Sequence, residues 1–177
     1  NAIVKVLKSK FWASGFGIGN VRKFEKKFQK FINSDTCISV NSGTAALNLA
    51  LSLCEIKNKE VILPSLTYIS SANVVLYVGA TPVLCDNNPD TFNVEPEYIQ
   101  QKITKRTKAF MTVDLKGMPV DYDAFNNLSK QTGITFISDS AESFGAEYKN
   151  NKVGSQAFAS SFSFFANKNI TTGEGGM

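Results

Sequence analysis

The sequence predicts an α/β domain built on a mostly parallel sheet with flanking helices. Three observations predict it. Short β-rich runs alternate with helical ones along most of the chain, as in consecutive βαβ units. No internal repeat and no low-complexity linker interrupts the alternation. The composition is that of an ordinary globular protein, 43% hydrophobic and 19% charged, and 177 residues suffice for one sizeable core.

The elements follow in order. Phe24, Phe28, Phe31 and Ile32 recur at helical spacing among Arg22, Lys23, Lys26, Lys27 and Lys30. That pattern predicts an amphipathic helix with a solvated basic side. Residues 37–40 read as a strand and 44–53 as a helix rich in Ala and Leu. A strand over 61–63 stops at Pro64, and a second helix is expected over 67–78. Then come a strand at 81–84, a helix at 95–103, a strand at 109–113, a helix at 122–131 and a buried strand at 135–138. Residues 158–165 alternate Phe with Ser, which predicts a last strand.

Charge and composition exclude several classes. The net charge is +4, and the basic residues have neither aromatic interleaving nor a known motif, so no nucleic-acid partner is expected. Cys37, Cys54 and Cys85 are odd in number and form no C-x-x-C pair, which argues against a disulfide framework or a zinc site and for a reducing cytoplasm. No apolar run reaches membrane-spanning length and no signal peptide opens the chain, so no membrane association is expected. The first residue is Asn1 rather than Met, which points to a natural start further upstream. Histidine is absent altogether, which removes Ser-His and Cys-His nucleophile pairs and leaves no metal site to expect. Proton chemistry must run on Lys, Asp, Glu, Tyr or a cofactor.

In parallel sheets, ligands sit outside the carboxyl ends of the strands. Four segments there can carry chemistry. Asn41-Ser42-Gly43-Thr44 leads from the first strand through a tight turn at Gly43 into a helix, whose free N–H groups make a phosphate cradle. The same residues also suit plain N-capping by Ser42 or Thr44. Tyr68 follows the second strand, either as a ring face for a flat ligand or as an ordinary core or surface aromatic. Asp139 closes a buried strand, either as the partner of a protonated pyridine nitrogen or as a helix cap. Lys168 lies between the aromatic strand and the turn Thr171-Thr172-Gly173-Glu174-Gly175-Gly176. A lone lysine is usually a surface residue, but apolar surroundings can make one a nucleophile. Its company in chain order is a cradle, an aromatic and a carboxylate.

Five blocks in that order resemble one known family. They are the cradle running on to Leu47, Pro64-Ser65-Leu66-Thr67-Tyr68, the stretch from Gly79 to Asp86, the stretch from Asp139 through Ser140-Ala141-Glu142-Ser143-Phe144-Gly145-Ala146, and the stretch from Phe162 through Ser163, Lys168 and the Gly-rich turn to Met177. Together they resemble the DegT/DnrJ/EryC1/StrS aminotransferases, nucleotide-sugar enzymes of the aspartate aminotransferase fold. Each block alone is moderately specific, whereas five in order are highly specific.

The resemblance implies a large domain of fold type I that uses pyridoxal 5'-phosphate (PLP). Lys168 would hold the cofactor as a Schiff base, and Asp139 would bond its ring nitrogen. Gly43, Thr44 and Ser163 would hold its phosphate, and Tyr68 would stack on its ring. Glu142 would lie near its hydroxyl, where many relatives carry Gln or His. The Glu and the stretch after Phe164 look closest to perosamine-synthase-like members. The implied reaction is a ping-pong transamination from an amino-acid donor, by family habit L-glutamate, to a 4-keto-6-deoxy sugar nucleotide, in polysaccharide or O-antigen biosynthesis. A homodimer sharing its active sites is implied too.

Asp114 stands where many relatives carry a His before an aromatic-Gly segment. Family members continue past the Gly-rich turn, so residues 1–177 are expected to be a partial large domain, with its remainder and a small C-terminal domain absent. A truncated, non-catalytic cofactor-binding remnant, or a regulatory protein of the same fold, is the alternative. A PLP-dependent sugar dehydratase is a weaker one, because such members replace the lysine with His.

Overall fold

The computed structural model describes residues 1–11 and 19–177. Among these, the helices are α1 (Ala2–Ser9), α2 (Asn20–Ile32), α3 (Gly43–Ser52), α4 (Ser70–Tyr77), α5 (Pro96–Gln100) and α6 (Tyr122–Thr132). The strands are β1 (Glu60–Pro64), β2 (Thr81–Cys85), β3 (Thr107–Val113), β4 (Thr135–Asp139), β5 (Glu147–Tyr148), β6 (Asn151–Lys152) and β7 (Ala159–Ser161). No described helix is long and apolar enough to cross a membrane.

Five strands form one parallel sheet in the order β2-β1-β3-β4-β7. Their side chains alternate between two apolar faces, as the pleat requires. Val61, Leu63, Ala109, Met111 and Ile137 pack on Leu47 and Leu51 of α3 and Val74 and Val75 of α4. Ile62, Phe110 and Phe136 pack on Ile99 of α5 and Tyr122, Phe125 and Leu128 of α6. Strand β2 departs from β1 on one side and β3 lies on the other, which makes the β1–β3 boundary the switch point.

A third cluster explains the Phe/Ser alternation. Phe28 and Ile32 of α2 pack against Phe162 and Phe164, and the rings of Phe28 and Phe162 meet edge-on at 5.0 Å. The aromatic side of this segment faces α2, and Ser163 faces the other way. The predicted strand over 158–165 is shorter than expected, because only β7 pairs with β4. Beyond it, Phe162 exchanges backbone hydrogen bonds with Met177, and the Phe164 N–H donates to the Gly175 carbonyl. The chain leaves its parallel neighbour to pair with its own glycine-rich return.

The strand expected over 37–40 does not form. Val40 makes a single antiparallel bridge to Gly176, while the Ser39 N–H and hydroxyl both donate to Glu25 of α2 at 2.9 Å. A side chain thus takes the hydrogen bond that a neighbouring strand would need. Helix α4 begins three residues later than expected, which leaves Thr67 and Tyr68 in the connection. The β5–β6 hairpin was not anticipated; Lys149 and Asn150 turn it with φ of 49° and 65°.

Candidate active site

A cleft of about 400 Å³ opens at the carboxyl ends of the parallel strands. All the residues singled out from the sequence line it: Gly43, Thr44, Tyr68, Asp139, Glu142, Ser163 and Lys168. They come from four separate segments, each emerging at the same edge of the sheet. A second cleft, of about 360 Å³, lies between the end of α2, α3 and β7 and contains none of them.

The start of α3 forms one wall. Ser42 caps the helix, its hydroxyl accepting from the Ala45 N–H at 3.1 Å. The N–H groups of Gly43 and Thr44 and the Thr44 hydroxyl have no partner among the described residues, so this helix end can take an anion. Gly43 is not a turn residue, as the sequence suggested, but the first residue of the helix. Its missing side chain is explained by Ser163, whose Cβ would lie 2.8 Å from a Cβ at position 43. The bare helix end and the Ser163 hydroxyl therefore share one corner.

Asp139 ends β4 and is 5% exposed. One carboxylate oxygen accepts from the Ser71 hydroxyl at 2.9 Å and the other from the Ala141 N–H at 3.2 Å. Burial pushes its pKa up to about 6, against the lowering effect of those two donors; Asp114 raises it further and Lys168 lowers it. Two neutral donors do not fully balance a buried carboxylate, so a cation placed against Asp139 would be stabilised.

Lys168 follows the aromatic segment, with its side chain 20% exposed and its Nζ 3.5 Å from Glu142 Oε1. Glu142 Oε2 accepts from the Lys116 N–H at 2.7 Å. Tyr68 lines the mouth and is 76% exposed, which leaves its ring free to receive a flat ligand. Asp114 lies outside the cleft, completely buried.

Ser71 was not legible as a site residue. It sits in the first turn of a helix next to Ser70, and the one available signal was its four-residue spacing from Thr67, whose hydroxyl lies 2.9 Å from that of Ser71.

The DegT/DnrJ/EryC1/StrS aminotransferase family matches residues 1–177. The chain belongs to that family. The DegT-type chain is 48% identical to the GDP-perosamine synthase of Caulobacter vibrioides over 94% of its own length and 45% of the relative's. It superposes on 3-amino-5-hydroxybenzoic acid synthase with a TM-score of 0.95 at 34% identity, over 99% of this chain and 46% of that one. It also matches the PLP form of a candidate sugar aminotransferase from Streptococcus pneumoniae, with a TM-score of 0.92 at 35% identity, over 98% of this chain and 48% of that one. The chain thus spans about half the length of the curated relatives it matches.

DegT-family aminotransferases use PLP. The cleft fits such a group on its own chemistry. It offers an unpaired helix end beside a serine hydroxyl for a phosphate, and a buried, incompletely balanced carboxylate for a ring cation. It also offers one primary amine for an aldehyde.

Proposed function

We propose that this chain carries the cofactor half of a PLP-dependent aminotransferase that transfers an amino group, from L-glutamate, to a 4-keto-6-deoxy sugar nucleotide. The observation that carries the reading is the convergence of Lys168 and Asp139 on one cleft beside the open N-terminus of α3. The 48% identity to a GDP-perosamine synthase supports the sugar-nucleotide class.

In this reading Lys168 would hold the cofactor covalently through its Nζ, condensing with the aldehyde and releasing water. As a free amine, Lys168 Nζ would accept the proton from the donor's Cα as general base. Asp139 would hold the ring nitrogen in its protonated form by a charged hydrogen bond. When bound, PLP supplies an electron sink for the pair released at the donor's Cα. The Gly43 and Thr44 N–H groups and Ser163 hold the phosphate. Tyr68 and Glu142 would help hold the cofactor, and Glu142 steers Lys168 through the ion pair between them. Leu47, Val113 and Leu115 supply the apolar part of the lining.

Residues 1–177 then form part of a large domain. A homodimer that shares its sites is supported by exposed apolar side chains at the two ends of α4, Ile69 and Tyr77, each more than 60% exposed. A cytoplasmic location rests on the cysteine usage.

The test is a borohydride trap: mix the protein with PLP, reduce, digest and weigh the peptides. A phosphopyridoxyl adduct on Lys168 alone is the expected result. Absence of label, or label spread over many surface lysines in the dimeric protein, would refute the assignment.

A further inference from the structure

The turn after β4 carries both pocket carboxylates, Asp139 and Glu142, and a third carboxylate holds that turn from behind. Asp114 is completely buried, at the end of the neighbouring strand β3. Its Oδ2 accepts from the Tyr122 hydroxyl at 2.7 Å, the Ser143 hydroxyl at 2.7 Å and the Ser140 hydroxyl at 3.0 Å. Its Oδ1 accepts from the Val120 N–H at 3.0 Å, and its own N–H donates to the Asp139 carbonyl at 3.0 Å. Asp114 therefore grips β4 by the backbone of Asp139 and grips the turn by the two serines that flank Ala141 and Glu142.

Strand geometry explains why this arrangement acts on the cleft without entering it. Successive side chains point to opposite faces. Asp139 faces α4, where it meets Ser71. Ser138 and Ser140 face α6, where their hydroxyls bond to each other at 3.0 Å and to the Tyr122 hydroxyl at 2.8 and 3.4 Å. The turn is fixed on its hidden side, and its exposed side points Asp139 and Glu142 inward. Burying an ionised carboxylate is costly unless it is fully hydrogen-bonded. An apolar residue would fill the same space without that cost, but could not grip both serines. Burial raises the pKa of Asp114 above the usual carboxylate range, against the lowering effect of its four donors, and its charged form strengthens proton binding at Asp139.

We propose that Asp114 is a positioning residue for the transamination, fixing the 139–143 turn through Ser140 and Ser143 so that Asp139 meets the ring nitrogen and Glu142 meets Lys168. The proposal rests on the aminotransferase reading given above. It assigns Asp114, Ser140 and Ser143 a role in the reaction without contact with substrate or cofactor.

The test uses the holoenzyme: its visible absorption band reports bound cofactor, the 15N resonance of ring-labelled cofactor reports ring protonation, and steady-state kinetics and thermal melting complete the readout. Asp114→Asn is the direct variant. The double variant Ser140→Ala/Ser143→Ala keeps the test open if Asp114→Asn does not fold. The expected result is a kcat about tenfold lower, the loss expected for charge-assisted hydrogen bonds, with KM for the amino donor nearly unchanged. The ring-nitrogen resonance should move toward its unprotonated value, and Ser143→Thr, which keeps the hydroxyl donor, should leave both at their wild-type values. A lower melting temperature with kcat and spectrum unchanged would overturn the proposal and leave Asp114 a purely structural group. If the wild-type protein shows no cofactor band, the aminotransferase reading falls and this proposal with it. A wild-type band with unmoved variants sinks this proposal alone.

Discussion

Lys168 Nζ stands 3.5 Å from Glu142 Oε1, while Glu142 Oε2 accepts the Lys116 N–H at 2.7 Å. One carboxylate thus ties the loop after β7 to the loop after β3 through the turn after β4. The two side chains are 20% and 41% exposed. Solvent screens such a pair to about 1 kcal/mol or less, so its effect is mainly one of direction. Glu142→Gln should melt within about 1 kcal/mol of wild type. It should slow the appearance of the borohydride-trapped adduct, measured by stopped reduction at timed intervals.

Lys168→Ala removes the amine that both attaches to the cofactor and moves the proton. Turnover should fall by about a thousandfold or more, while pyridoxamine phosphate still binds, because the phosphate corner and Asp139 are untouched. Steady-state assay and equilibrium dialysis check the two halves. A turnover rate close to wild type would remove Lys168 from its role.

Asp139 links protonation to stability. Its pKa rises from 3.8 in the unfolded chain to about 6 in the fold, chiefly through burial. A raised carboxyl value means the native state holds the proton more tightly. Its stabilising contribution is therefore complete below pH 3.8 and is lost as the pH rises through about 6. Relative to Asp139→Asn, the cofactor-free wild type should lose about 3 kcal/mol across that window, by urea melts at several pH values. Bound cofactor should abolish the trend, since a ring cation beside Asp139 favours its ionised form.

Ser42 and Thr44 separate capping from ligand binding. Ser42→Ala removes the cap on Ala45 and should cost about 1 kcal/mol in a thermal melt. Thr44 has no hydrogen-bond partner for its hydroxyl among the described residues, so Thr44→Ala should melt as wild type does. Its affinity for PLP, followed by fluorescence titration, should drop severalfold. Equal stability losses in both variants would mean that Thr44 shares the cap.

Gly43→Ala places a methyl group 2.8 Å from Ser163 Cβ. The start of α3 must move away from Ser163, which should cost about 1–3 kcal/mol. The two halves of the phosphate corner then separate, and PLP affinity should fall more than in Thr44→Ala. Unchanged affinity would exclude this corner as the phosphate site.

Much of the molecule was legible because its signals are local. Strands β1, β3 and β4 are apolar runs bounded by Pro, Gly or acidic residues, and helices α3 and α6 carry Ser42 and Asp121 as caps. The misjudged segments lack such autonomy. Residues 37–40 have strand composition, but an extended segment becomes a strand only when a neighbour takes its hydrogen bonds, and Glu25 takes those of Ser39. The 158–165 run alternates correctly, yet where its pairing changes from β4 to the glycine return depends on residues ten or more positions away.

The sequence by itself determined the α/β class and most of the elements in order, because alternation, caps and strand ends are written within a few residues of each other, and its family resemblance named the seven residues that line the cleft. Only the tertiary structure decided why Gly43 is glycine, what holds Asp139 and where Asp114 points. Ser163, Ser71 and Ser143 lie far along the chain from the residues they touch. Packing of the sheet brings them together, and no local pattern carries that distance.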